Sequence, residues 1–252
     1  MIKFLKNRGV TILIAVAIVV GYWLLTDVFH VLSDFLFPSI SAVLPLFPEY
    51  IGKLMEGLGS SLYLLIISYV LAVITAVGLG TLIGLKSGLR KHLTPYIYAF
   101  SAIPVPLLTP YAINIFPTLK VASIFLIWLA AFWVILATTI GAVVSIDKRY
   151  LENAAVLEIP PVEKLFRVVL PAASPAILTG CSVAMTLSFM MLAVAEMFGA
   201  QSGMAYFVQY YSDFARYDLV LCGFLFTACV LVLVMIVFDL IKKRILFWTM
   251  NE

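Results

Sequence analysis

Residues 152–171 read ENAAVLEIPPVEKLFRVVLP, a charged, helix-prone stretch about one bilayer span long. The chain is apolar for a long way on both sides of it, up to Ile146 before and from Ala172 after. Of the 252 residues, 64% are apolar and 12% charged. Soluble domains carry roughly a quarter charged residues, so the composition is that of an all-α integral membrane protein. A charged insert between two apolar spans sits in water. A membrane protein that keeps such a segment in water uses it to touch something soluble.

Working outward from the insert, a helix crosses the hydrocarbon core with about 20 apolar residues. On that measure the sequence predicts a single transmembrane domain over residues 1–252 with about six spans, at 10–29, 58–85, 93–116, 121–146, 172–198 and 219–241. Lys3, Lys6 and Arg8 precede the first, as in a secretory signal. Its apolar run is longer than a signal's, and Asp27-Val28-Phe29-His30 offers no small-residue cleavage site, so it reads as a retained anchor. Residues 30–57 carry Pro38, Pro45 and Pro48, then Glu49, Lys53 and Glu56, and read as an external loop followed by a short surface helix. Residues 199–218 place Tyr206, Tyr210, Phe214 and Tyr217 at helical spacing, an external aromatic helix anchored among headgroups. Stacking of those rings on a substrate is the alternative.

Lys and Arg set the orientation. With the N-terminus in the cytosol, the inner segments hold all of the 16 basic residues except Lys53, Lys120 and Arg216. Both termini, and the segment 147–171, are therefore expected on the cytosolic side.

Packing and irregularity are also legible. Ser68, Ala72, Ala76, Gly80 and Gly84 place a small residue at every fourth position, and Ala172, Ala176, Gly180, Ala184 and Ser188 repeat the device. Such rows let helix backbones approach closely within a bundle or at a subunit interface. The third span is interrupted by Pro104, Pro106 and Pro110 and closed by Pro117, with Asn114 between. Each interior proline frees a carbonyl, and irregular backbone at membrane depth is found where protein buries it or where it lines a wet cavity. A translocation pathway and a kinked structural helix both answer to this pattern. Glu196, near the end of the fifth span, is a pathway candidate as an acid at membrane depth, and Ser188 lies two turns before it. The competing role for Glu196 is to cap the backbone just after it.

Other chemistry lacks support. The net charge of +3 is too small for a nucleic-acid partner. Cys181, Cys222 and Cys229 lie in apolar runs as packing residues, and His30 and His92 stand alone, so no metal site or His-based relay is indicated.

Within the insert, Val162, Leu165, Phe166 and Val169 follow i, i+3, i+4, i+7 spacing, which predicts a short amphipathic helix started by Pro160 and Pro161. Residues 150–157 predict a separate helical turn or two ahead of it. The pair could lie on a leaflet or press into a groove of a soluble partner.

Glu152-Asn153-Ala154, followed by Glu158 and by Leu170-Pro171, resembles the EAA loop of ABC-importer permeases. The similarity extends to AASPAILTG at Ala172–Gly180, VAEMFGAQSG at Val194–Gly203, Phe37-Pro38-Ser39, and IPVPLLTP at Ile103–Pro110. Together these resemble the nitrate, sulfonate, taurine and bicarbonate branch of binding-protein-dependent permeases, which also includes carriers of vitamin precursors. The resemblance implies a type I importer permease in a bacterial cytoplasmic (inner) membrane. It implies a second permease copy, an external solute-binding protein, and two ATPase subunits that carry ATP and Mg while this chain binds no cofactor. Those subunits would receive Glu152, Asn153, Ala154, Ala155, Leu157, Glu158, Pro161, Val162, Leu165, Phe166 and Val169. Consistent with that division, no G-x-x-x-x-G-K-[ST] loop occurs in the chain. Two positions depart from the pattern: Asn153 replaces the first Ala, and Glu158 replaces a Gly that makes the turn between the loop's helices. The expectation is that Ile159-Pro160-Pro161 makes the break instead.

An ion-coupled secondary transporter is the rival reading, and it calls for acids or His deep in the spans, where only Glu196 and Asp239 come near. An intramembrane enzyme needs a nucleophile with a base or a metal cluster, and nothing in the sequence assembles one. No Arg or Lys cluster in the spans marks an anion site, so the solute is not readable from them.

Overall fold

A computed structural model describes residues 13–14 and 16–247. Among these the chain is built of helices and connecting turns, with no strand. In chain order they are α1 (Val16–Val28), then α2 (Ile40–Val43), α3 (Leu46–Leu85), α4 (Ser87–Ser101), a 3₁₀ turn (Val105–Leu108), α5 (Thr109–Ile115) and α6 (Leu119–Val144). The second half holds α7 (Lys148–Val156), α8 (Pro161–Lys164), a wide π turn (Leu165–Val169), α9 (Leu170–Gly199), α10 (Met204–Asp213) and α11 (Tyr217–Ile245).

Among the described residues, four helical stretches are long and apolar enough to cross a membrane: Leu46–Leu85, Leu119–Val144, Pro161–Phe198 and Tyr217–Ile245. The pair Ser87–Ser101 and Val105–Ile115, bent by 78°, makes a fifth if counted as one span. Part of the expected first span, residues 10–12 and 15, lies outside the described residues, as do Lys3, Lys6 and Arg8. Its described part is the shorter apolar helix α1.

The core is a slab in which α6 lies between α3 and α9. The two rows of small residues explain the closeness. On α3, Ser68, Ala72 and Ala76 are fully buried. A Cβ added at Gly80 would meet Thr139 Cβ at 2.8 Å, and one at Gly84 would meet Val143 Cβ at 2.7 Å. On α9, Gly180 lies against Thr138 in the same way, and Ala184 and Ser188 are fully buried. Ala172 and Ala176, at the hairpin end of that row, are exposed. Polar links cross the slab at two levels. Trp128 Nε1 donates to Thr75 Oγ1 at 3.0 Å, and Tyr69 Oη donates to the Cys181 carbonyl at 2.6 Å.

Two expected boundaries change. The surface helix expected ahead of the second span is continuous with it: α3 runs for 40 residues, about 60 Å at 1.5 Å per residue and twice the hydrocarbon thickness. Pro48 falls in its first turn, where a missing N–H costs nothing, so the proline starts this helix instead of ending it. Likewise α8 is no separate helix. The stretch Pro161–Phe198 is continuous, and Leu170 N–H reaches back to the Leu165 carbonyl through the π turn. That wide turn comes directly before Pro171, whose ring would otherwise collide with the carbonyl one α-helical turn earlier.

The short α1 is tied to the start of α2. Asp27 accepts from the N–H of Ile40 at 3.0 Å and from the Ser41 hydroxyl at 2.6 Å, and Tyr22 Oη donates to the Pro38 carbonyl at 2.9 Å. Ser39 caps α2 by accepting from the Ala42 N–H at 3.3 Å. The Phe37-Pro38-Ser39 motif is thus the joint between α1 and α2.

Candidate functional site

The hairpin between α6 and α9 is built from local rules. Asp147 starts α7 by accepting from Arg149 N–H at 2.9 Å. α7 ends in a Schellman cap: Glu158 N–H bonds the Ala155 carbonyl at 3.1 Å, and Ile159 N–H bonds the Ala154 carbonyl at 3.1 Å. Glu158 occupies the left-handed position of that cap, with φ +49°. This corrects the expectation for the break. The turn that a glycine ordinarily supplies is retained, with a glutamate in it, and Pro160 and Pro161 then start the next helix. Lys164 Nζ donates to the Leu151 carbonyl at 3.2 Å and binds the second arm of the hairpin to the first. Arg167 pairs with Glu163 at 2.8 Å on the outer face.

The predicted apolar stripe straddles an edge. Val169 is 1% exposed and Leu165 is partly buried against the core, covered on the α7 side. Val162 is 70% and Phe166 63% exposed, and they join Val156 at 82% and Leu157 at 71%. The hairpin therefore presents an apolar surface to solvent, rimmed by Glu152, Asn153, Ala155, Glu158 and Pro161, all exposed, while Ala154 is buried beneath. Val156 and exposed Tyr150 belong to this surface and were not among the expected residues. The signal for Val156 was present, since it stands beside Leu157 in a segment otherwise suited to water.

At the other end of α9, Glu196 is 1% exposed. Its carboxylate accepts from the Ser61 hydroxyl and from Ala205 N–H at 2.8 Å, and Ser61 in turn accepts from Met204 N–H at 2.9 Å. Glu196 thus caps the N-terminus of α10 and locks it to α3. Gly203, at φ +143°, has no room for a side chain: an added Cβ would collide with the Glu196 carboxylate. Ser202 reaches Ser60 at 2.9 Å across the same joint. The aromatic helix packs by one face. Phe207 is buried, and Tyr50 meets Phe207 and Tyr211 edge-on at 6.4 and 5.8 Å. A groove of about 790 Å³ beside the joint is lined by both polar and apolar side chains, among them Ser60, Tyr63, Leu64, Leu119, Lys120 and Gln201. Arg216 is spent on Asp218 at 2.7 Å, which raises the guanidinium pKa still further, and Lys53 donates to Tyr211 Oη at 3.1 Å.

The proline-rich span is broken. Pro104, with ψ 116°, separates α4 from the 3₁₀ turn and α5. Pro104, Pro106, Pro110 and Asn114 are exposed. Pro104 and Pro106 line an apolar crevice of about 340 Å³ with Trp133, Leu187, Met190 and Val194. Asn114 Nδ2 donates to the Pro110 carbonyl at 2.7 Å. Ser188 is turned into the core and donates to the Ala184 carbonyl at 2.9 Å. The expected pathway residues therefore fall into separate places: two on this crevice, Pro110 and Asn114 beyond it on α5, Ser188 within the slab and Glu196 at the α10 joint.

Comparison with known proteins bears on the family and the fold. The chain is 29% identical over 238 residues to SsuC of Bacillus subtilis (strain 168), named for aliphatic sulfonates transport, covering 92% of this chain and 85% of that one. It is 25% identical over 250 residues to the taurine transport system permease protein TauC of Escherichia coli (strain K12), covering 96% and 91%. It is also 30% identical over 151 residues to the nitrate import permease protein NrtB of Leptolyngbya laminosa, covering 60% and 54%. Its fold is that of a chain of the MetNI methionine ABC transporter in an inward-facing conformation, with TM-score 0.67 and 16% identity over 78% of this chain and 98% of that one. Residues 70–247 match the family described as binding-protein-dependent transport system inner membrane component. The chain belongs to that family, as a multi-pass membrane protein of the ABC-permease kind that the hairpin and the VAEMFGAQSG motif resembled.

Proposed function

We propose that this chain is the membrane-spanning permease subunit of an ATP-driven importer of a small solute. The relatives named for aliphatic sulfonates, taurine and nitrate favour a solute of the sulfonate or nitrate class. Two copies enclose the pathway, and an external binding protein delivers the solute at the α10 end. Two ATPase subunits, holding ATP and Mg, take the hairpins in surface clefts on the cytosolic side. The observation that carries this reading is the exposed apolar hairpin surface, continuous through Pro161–Phe198 with a helix of the core slab. A push on Val162 or Phe166 is a push on α9 itself. Nucleotide that favours one position of the hairpin then favours one state of the bundle, as a two-state switch requires. The broken span and its crevice supply irregular backbone beside the slab, which fits a wall of the pathway.

The test is uptake into liposomes that hold this chain with its ATPase subunits, supplied with its binding protein outside. Uptake that stops when internal ATP is removed, with ion gradients kept, supports the proposal. Uptake that follows the ion gradient without ATP supports the secondary-transporter reading instead.

A further inference from the structure

We infer that the ATPase partner of this chain places a basic side chain, Arg or Lys, opposite Glu158 within an otherwise apolar cleft. The inference rests on the permease reading and adds the chemistry of the contact.

Glu158 holds the left-handed turn at the tip of the hairpin with φ +49°, a conformation that glycine adopts freely and other residues resist. Its side chain is exposed and makes no hydrogen bond or ion pair among the described residues. Of the hairpin's cations, Lys164 bonds the Leu151 carbonyl, Arg167 pairs with Glu163 and Arg149 faces Asp147 at 3.9 Å, and Lys148 starts α7 at the opposite end from Glu158. Among the described residues, two other non-glycine residues are left-handed. His30 faces Asp34 at 3.9 Å, and Ala215 offers no polar group. Glu158 alone of the three sets an unpaired charge at such a turn.

Its neighbours decide what that charge must meet. Val156, Leu157, Val162 and Phe166 flank it in sequence, each more than three-fifths exposed. A cleft that covers these side chains also strips water from the carboxylate between them. A desolvated carboxylate without a partner is costly, whereas one that meets a cation with good geometry is held and oriented. A receiving cleft complementary to this part of the hairpin is therefore apolar, with a cation opposite Glu158.

The experiment measures ATPase-subunit binding to the full permease in nanodiscs for wild type, Glu158→Gln, Glu158→Gly and Leu157→Asp, at low and high salt. The inference expects Glu158→Gln and Glu158→Gly each to weaken binding about tenfold and to lose most of its salt dependence. It also expects Glu158→Gly to raise the permease's own thermal midpoint, so that weaker binding is not poorer folding. Wild-type affinity in both Glu158 variants, with loss only in Leu157→Asp, overturns the inference and leaves the permease reading intact. Absence of binding by the wild-type chain removes both.

Discussion

Glu196 and Gly203 occupy one another's space: the carboxylate fills the volume a side chain at 203 would need, and the glycine frees the backbone to bring Ala205 N–H onto the carboxylate. Gly203→Ala is expected to cost about 3–4 kcal/mol, from the collision and from a φ that L residues avoid, read as a lowered thermal midpoint in detergent. Glu196→Ala leaves the donors of Ser61 and Ala205 without their acceptor and should cost about 1–3 kcal/mol per donor, with Glu196→Gln intermediate. Equal midpoints for Glu196→Ala and wild type would contradict the capping role. The sequence marked Glu196 and offered capping as one of its roles. Ser61, 135 positions away, gave no sign, because a hydroxyl inside a run of small residues looks like packing. Glu158 shows the converse. Its departure from the motif was visible in the sequence, but a left-handed φ can be read only from the backbone.

The helices owe their spacing to a few glycines, and a paired substitution separates packing from propensity. Gly80→Ala drives a Cβ to within 2.8 Å of Thr139 and should cost about 1–3 kcal/mol through overpacking. Gly78→Ala, on the same helix with nothing within 4 Å, should be neutral or stabilising by up to about 1 kcal/mol. Similar losses at both positions would show that the helix backbone, and not its crossing with α6, sets the effect. These rows were legible because a period of four small residues has one physical use in lipid. The ends of the elements were not. A proline reads equally well as a helix start or a helix break: Pro160 and Pro161 start a helix as expected, whereas Pro48, expected in an external loop, stands in the first turn of α3. The same packing splits the hairpin stripe. Val169→Ala should lower the thermal midpoint, since Val169 is 1% exposed, whereas Phe166→Ala should leave it unchanged.

At the scale of the whole molecule, the chain is a slab of three tightly crossed helices with more loosely attached elements at its margins. α11 keeps Leu233, Ile236, Val237 and Leu240 exposed along its length, apolar surface suited to lipid or to another membrane chain. The slab has two differently built ends. One holds the α10 joint and the groove beside it; the other holds the hairpin, and α9 runs between them for 30 residues. Composition and charge gave the class of molecule and the motifs gave the family, because both are local. The route from hairpin to slab was not in the pattern, since it depends on a π turn that lets a helix pass a proline. The claim that force enters through this hairpin is tested most directly by substrate-stimulated ATP hydrolysis in liposomes, comparing wild type with Leu157→Asp and Phe166→Ala. The account predicts that both variants keep the wild-type thermal midpoint while stimulation by solute-loaded binding protein falls at least about tenfold, toward the basal rate of the ATPase. Full stimulation in both variants, with assembly intact, would contradict it.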